Sequence, residues 1–257
     1  MGARLLTAVG ALSLVVALAL LIVTCASIPN TSLPIFTVDA SSRFSSNFQP
    51  QIRVHFGLWG WCQLTTEPRV LFPEGCVRVN GTSGYDPALV MRPLNSDFPP
   101  TFKPGGMRDM TLGFVLPGVA TATNGAAIIL LVAAFVRRNR ICNLVSIAFS
   151  VLSLIFTIAA VGCVFAFCEK VRRGTASYSG VRSSSRTQPG YDYQLKTYYG
   201  PCVVTLALAC GVLLVATIIL FFAWLASKRE GRRTWSEDGT EKHRVSHSEV
   251  APSGSTH

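Results

Sequence analysis

Four long apolar runs, each without Asp, Glu, Lys, Arg or His, dominate the pattern of the chain. They cover residues 5–28, 110–136, 141–167 and 201–226. About 20 apolar residues cross the hydrocarbon core of a bilayer as a helix, and a single segment in lipid can satisfy its own backbone groups only as a helix. The pattern therefore predicts an all-α membrane protein, a bundle of four transmembrane helices.

The first run has two interpretations. Arg4, the apolar stretch and the small residues Cys25, Ala26 and Ser27 are also typical of a cleavable signal peptide. The run is longer than the roughly 7–15-residue core of such a signal, which favours a retained helix. Residues 1–28 are therefore predicted to form the first transmembrane helix, with cleavage as the alternative.

Basic residues at the helix ends predict the orientation. Arg137, Arg138 and Arg140 crowd the short second connection, and a basic cluster follows the fourth run: Lys228, Arg229, Arg232 and Arg233. Positive flanks face the cytoplasm, so both termini should be cytoplasmic. Lys170, Arg172 and Arg173 follow the third run on the side that would then face outward, against this rule. The short second connection nevertheless decides the orientation, because the two ends of the third helix cannot both face the cytoplasm. Cations of the basic cluster would bind anionic lipid, at about 1 kcal/mol each.

This topology divides the rest of the chain into two outer loops and a tail. The first outer loop is 29–109, the second is 168–200, and the polar segment 227–257 is predicted to be a disordered cytoplasmic tail. Within the second loop only Tyr198 and Tyr199 have an expected position, the membrane interface, where tyrosine is enriched.

The first outer loop carries a predicted β-sheet. Apolar and polar residues alternate over 51–58 and again over 77–80, a period typical of half-buried strands. Cys62 and Cys76 lie at the facing ends of these strands and predict a disulfide worth roughly 3 kcal/mol, with two free buried thiols as the alternative. Asn80 begins a glycosylation sequon on the same side.

Polar residues inside the apolar runs predict contacts between helices. Asn124 should find a partner on another helix, and hydroxyl residues recur at helical spacing in the third run: Ser146, Ser150, Ser153 and Thr157. Cys168 and Cys202 stand at the outer ends of the third and fourth helices. They can close a second disulfide if those two helices are neighbours.

Composition and motif content argue against a nucleic-acid-binding protein and against an enzyme. Only 14% of the residues are charged and the formal net charge is +10, but the basic residues flank the apolar runs instead of forming a nucleic-acid-binding stripe. The sequence contains no nucleophile–base constellation, phosphate-binding glycine loop or metal-ligand spacing. We therefore predict a non-enzymatic protein without cofactor, metal or nucleic acid.

One segment adds a family resemblance. Residues 57–62, Gly-Leu-Trp-Gly-Trp-Cys, followed by Cys76, resemble the G-L-W-x-x-C…C motif of claudin-like tetraspan proteins, as do the layout of helices and loops and Arg108 before the second helix. The motif residues are Gly57, Leu58, Trp59, Cys62 and Cys76. Gly84-Tyr85-Asp86 is more similar to the fungal branch, which includes cortical-patch Sur proteins and PalI-type pH-response regulators.

The chain also departs from these relatives. It lacks a tryptophan ahead of Trp59, and its cysteine spacing and second outer loop are longer than in claudins, which speaks against a vertebrate junction role. Its tail is shorter than that of PalI-type regulators. The motif itself is expected to anchor the sheet over the helices, with a lateral or head-to-head contact surface as the alternative.

The resemblance implies a function in the plasma membrane. The chain would organise membrane domains at the cell cortex through lateral assembly, with partners among membrane lipids and other membrane or cortical proteins. The alternative is a PalI-type component of an ambient-pH sensing complex. A small channel or transporter is a third class, disfavoured because the apolar runs contain no ionisable group.

Overall fold

A computed structural model describes residues 2–27, 33–43, 52–65, 75–78, 107–137, 140–176 and 192–248. Its helices are α1 (Gly2–Cys25), α2 (Met107–Leu112), α3 (Leu116–Arg137), α4 (Arg140–Ala176) and α5 (Pro201–Ser248), with a 3₁₀ turn over Gly113–Val115. Four segments are long and apolar enough to cross a membrane: Leu5–Cys25, Met110–Arg137, Ile141–Gly174 and Pro201–Lys228. The predicted multi-pass helical architecture is confirmed.

Two helices are longer than the sequence predicted. α4 continues past Phe167 to Ala176, and Val171 in this extension is fully buried. Glu169 binds the guanidinium groups of Arg172 and Arg173 at 2.9 Å, one helical turn away, which supports the added turns. The predicted disordered tail was wrong for most of its length, because α5 runs on to Ser248 without a proline to end it.

The four long helices form a closed ring. α1 packs on α3 and α5, and α4 packs on the same two neighbours. Alanines line the contacts and bring the backbones close together; Ala17, Ala120, Ala160 and Ala209 are all fully buried. A Cβ atom at Gly10 would lie 2.7 Å from the Leu220 side chain, so a larger residue at this position would require the Leu220 side chain of α5 to move.

Polar side chains link the helices as predicted. Asn124 of α3 donates to the Leu14 carbonyl oxygen of α1 at 3.2 Å. Ser146 and Ser153 of α4 donate to carbonyl oxygens of α3 at 2.7 and 2.9 Å, and the Ser150 and Thr217 hydroxyls lie 2.9 Å apart. Thr157 instead donates to the Ser153 carbonyl oxygen within α4, at 2.8 Å. The polar residues of the core therefore serve helix packing.

A five-stranded antiparallel sheet stands beside the carboxyl end of α4. Its strands are β1 (Phe36–Arg43), β2 (Ile52–Phe56), β3 (Gly60–Thr65), β4 (Gly75–Arg78) and β5 (Asp192–Tyr199), in the order β4-β3-β2-β1-β5. The alternation over 51–58 identified β2. The alternation over 77–80 overlaps β4, whereas β1, β3 and β5 were not predicted. β5 brings the predicted second outer loop into the sheet that the first loop begins.

One row of large side chains crosses the sheet on the side that faces the helices. The register places Val77, Trp61, Phe56, Phe36 and Tyr199 next to one another on successive strands. Phe36 and Phe56 are almost completely buried, and the Tyr199 ring contacts the Phe165 ring of α4 at a centroid distance of 6.2 Å. Phe36 and Phe56 at the centre of this row belong to the apolar layer between sheet and bundle, whereas Val77 and Tyr199 at its ends are about half exposed.

Candidate functional site

The candidate site is the hairpin that carries the Gly-Leu-Trp segment. β2 and β3 stay paired down to Phe56 and Trp61, and the Gly57 N–H donates to the Gly60 carbonyl oxygen at 3.0 Å. Gly60 has φ 155°, a conformation that side chains rarely adopt. The turn therefore requires glycine, and it leaves Leu58 and Trp59 alone at the tip.

The tip contacts both α1 and α3. The Trp59 indole Nε1 donates to the Cys25 carbonyl oxygen at 3.0 Å, and the far edge of its ring lies 3.9 Å from where a Cβ of Gly118 would stand. Leu58 is 3% exposed, and its N–H lies 3.5 Å from the Ser27 hydroxyl oxygen that accepts from it. These contacts support the interpretation that the motif anchors the sheet on the helices.

The same contacts supply a hydrogen-bond donor to the carboxyl end of α1. A helix leaves its last carbonyl groups unpaired, which is costly next to lipid. Here the Cys25 carbonyl oxygen accepts from Trp59, while the Thr24 carbonyl oxygen accepts from the Ser27 N–H and lies 3.8 Å from the Cys202 thiol. The helix end and the hairpin tip are thus one hydrogen-bonded unit.

This unit bears on whether α1 is a signal peptide. Cleavage near Ser27 would remove the acceptors of both Asn124 and Trp59 and would uncover buried leucines of α5. We therefore expect α1 to remain in the mature protein, and peptide mapping of protein purified through a carboxyl-terminal tag should recover residues of α1. An amino terminus mapped to residues 26–28 would contradict this expectation.

The predicted disulfide between Cys62 and Cys76 is present and joins β3 to β4. Replacing both cysteines with serine is expected to lower the free energy of unfolding by about 3 kcal/mol, because the roughly 15-residue loop is no longer closed in the unfolded chain. Thermal unfolding in detergent measures the loss, and Cys142→Ser, at a free thiol, is the control. Equal midpoints for the two variants would contradict the prediction.

The possible second disulfide does not form. α4 and α5 are neighbours, as that pairing required, but Cys168 and Cys202 are free thiols. Both are buried within the bundle, and the Cys202 thiol is directed to the Thr24 carbonyl oxygen of α1. Packing into the core thus replaces the covalent link.

The other predicted positions fall partly outside the described residues. Asn80, the sequon residue, lies outside them, and so do the side chains of Arg229, Arg232 and Arg233, although their backbone belongs to α5. The Lys228 amine lies 5.4 Å from the centroid of the Trp224 ring, a cation–π contact near the end of the membrane span. Among the described residues no His, Cys, Asp or Glu cluster could hold a metal ion.

The opposite face of the sheet carries an exposed polar patch that sequence reasoning missed. Asp39 accepts two hydrogen bonds from Arg53 across β1 and β2, at 2.7 and 3.1 Å. These bonds raise the pKa of the Arg53 guanidinium above its ordinary value. Tyr198 and Leu64 on neighbouring strands are 51% and 36% exposed. Only the strand register, which is invisible in the sequence, brings these residues together.

Comparison with known proteins adds no relative: no protein-family model matches the chain, and no curated protein matches it. The family resemblance therefore depends on residues 57–76 and on the layout of helices and loops.

Proposed function

We propose that this chain is a non-enzymatic, multi-pass plasma-membrane protein of claudin-like type that organises cortical membrane domains through lateral assembly and partner binding. Both termini would lie in the cytoplasm. The observation that carries the proposal is the hairpin of Leu58 and Trp59, which fixes a disulfide-linked sheet to the helix bundle. A sheet held in this way can present a constant surface to a partner.

The helix bundle fits a scaffold better than a conduction path. Its buried serine and threonine hydroxyls and the Asn124 amide nitrogen bond to neighbouring helices or to their own backbone, while the Asn124 Oδ1 has no hydrogen-bond partner among the described residues. Transport sites in membranes ordinarily need ionisable groups, and the four apolar runs have none. Polar core residues that bond between helices stabilise a fixed arrangement of the bundle, which suits a scaffold.

The polar patch on the sheet is the surface we assign to partner binding. It combines the Arg53–Asp39 ion pair with the half-exposed Tyr198 ring and with Leu64. Tyrosine and arginine are enriched at protein interfaces, where they supply apolar contact area together with hydrogen bonds. The motif residues at the hairpin tip face the helices and are separate from this patch.

Imaging of a fluorescent fusion at the native locus tests the proposal. Stable cortical patches with slow recovery after photobleaching are expected, and the double variant Leu64→Ser, Tyr198→Ala should reach the membrane but recover faster. Ser13→Ala, a change on an exposed part of α1, is the control. A uniform, rapidly recovering signal in the wild type would refute the organiser role, and loss of growth confined to alkaline pH on deletion would favour the PalI-type role.

A further inference from the structure

One exposed face of α4 changes character along its length. Ile155, Ala159, Gly162 and Ala166 are followed at three- and four-residue spacing by Lys170 and Arg173, and all six are exposed. Residues at this spacing lie on one side of a helix. An apolar surface that faces lipid therefore leads directly to a pair of cations.

The apolar part of this face carries small side chains. A Cβ at Gly162 would meet no atom within 4 Å, and alanine stands one turn before and one turn after it. Phe165 is 46% exposed beside this strip, with its ring against Tyr199 of β5. The small residues form a low strip beside the larger Phe165–Tyr199 pair, and we call this strip the groove.

The cations lie just past the end of the apolar run, where lipid headgroups are expected. Lys170 and Arg173 lie beyond Phe167, the last residue of the apolar run, by about 5–9 Å at the helical rise of 1.5 Å per residue. Glu169 accepts from the Nε of Arg173 at 2.9 Å, so the guanidinium is held in place while its side chain remains 79% exposed. Lys170, Arg172 and Arg173 outnumber the single carboxylate of Glu169, which leaves the turn positively charged.

We propose that this face of α4 is a binding site for a phospholipid of the leaflet at the carboxyl end of the helix. Lys170 and Arg173 bind its phosphate, and an acyl chain lies in the groove along Ala159, Gly162 and Ala166 beside Phe165. In the predicted topology Lys170 and Arg173 lie on the outer side, where the positive-inside rule disfavours basic residues. A bound phospholipid would explain their presence there. It does not depend on the cortical role.

Charge distinguishes a lipid from a second copy of the chain as the occupant. Small residues on an exposed helix face can also support helix–helix contact. A two-fold dimer through this face would bring the same cations of both copies together, and like charges across an interface are unfavourable. A phosphate ester complements these cations, and its acyl chain complements the groove.

Native mass spectrometry of the full chain in detergent tests the site, with dioleoylphosphatidylglycerol as the probe. The variant K170Q/R173Q is expected to bind it about 30-fold more weakly, if each cation contributes as basic residues at a membrane surface do. K196Q removes a cation from the exposed face of the sheet and should bind like the wild type. Dioleoylglycerol, which lacks the phosphate, should not distinguish K170Q/R173Q from the wild type.

Gly162→Leu tests the groove, since it fills the open space without changing charge. It should weaken phosphatidylglycerol binding at an unchanged unfolding midpoint, while K170R/R173K, which keeps both charges, should retain it. Equal affinity of K170Q/R173Q, K196Q and the wild type would overturn the proposal. So would a Gly162→Leu protein that changes from dimer to monomer with unaltered lipid binding, which would make the face a helix–helix contact.

Discussion

Replacing Gly200 with alanine is expected to destabilise the protein severely, by about 3 kcal/mol or more. A Cβ at this position would overlap the Pro34 carbonyl oxygen, and the backbone cannot retreat because the Gly200 N–H donates to Ile35 at 2.7 Å. Gly200 joins β5 to α5, so the strain would reach both sheet and bundle. Yield and the thermal unfolding midpoint in detergent measure the loss.

Gly211→Ala is the matched control. It lies in α5, where a Cβ meets no atom within 4 Å. Alanine is favoured over glycine in helices by about 1 kcal/mol, so this change should be neutral or stabilising. Similar losses for the two variants would show that the close approach at Gly200 does not determine stability.

Replacing Trp59 with alanine is expected to lower the free energy of unfolding by about 3–5 kcal/mol, the range for removing a large aromatic side chain from a packed site. The change removes the ring from its place near Gly118 and leaves the Cys25 carbonyl oxygen without the indole donor. Trp59→Phe keeps most of the apolar contact and isolates the hydrogen bond, at about 1–3 kcal/mol for an acceptor left unpaired. Thermal unfolding of both variants separates the two contributions.

Tyr198→Ala provides the comparison for Trp59. The tyrosine is about half exposed, on the face of the sheet away from the helices, so its loss should cost less than about 1 kcal/mol. A Trp59→Ala protein as stable as Tyr198→Ala would contradict the anchoring role of the hairpin tip.

The helices could be predicted because their signal is local. An uncharged run long enough for the bilayer leaves the backbone few alternatives, and all four runs are helices. The extension of α4 was missed because Lys170, Arg172 and Arg173 end the apolar pattern. It is held by the ion pairs of Glu169 and by the burial of Val171, which depends on tertiary packing.

The sheet was predictable only where a strand carries its own alternating pattern, as in β2 and part of β4. β2 alternates clearly, whereas β1 and β5 are polar at many positions and form by pairing with each other across some 150 intervening residues. Long-range pairing of this kind leaves little trace in either segment. The polar patch of Arg53, Asp39 and Tyr198 depends on that register and could not have been expected.

At the candidate site, the sequence identified the residues but not their contacts. Cys62 and Cys76 could be paired because they are alone in their loop, and the pair forms. Cys168 and Cys202 satisfied the same kind of argument, yet both are buried as free thiols. Whether two cysteines on neighbouring helices pair depends on the direction of their side chains, and this direction cannot be inferred from their positions in the sequence.

The pairing of the two ends of the chain has a consequence for biosynthesis. β1 pairs with β5, and α1 packs on α5, so early segments depend on late ones in both the sheet and the membrane. At 5–20 residues per second, α1 waits about 10–35 s for the roughly 175 residues that precede α5. A ribosome that stops early would thus release a chain whose first helix lacks its main packing partner, with apolar and polar groups of α1 left uncovered.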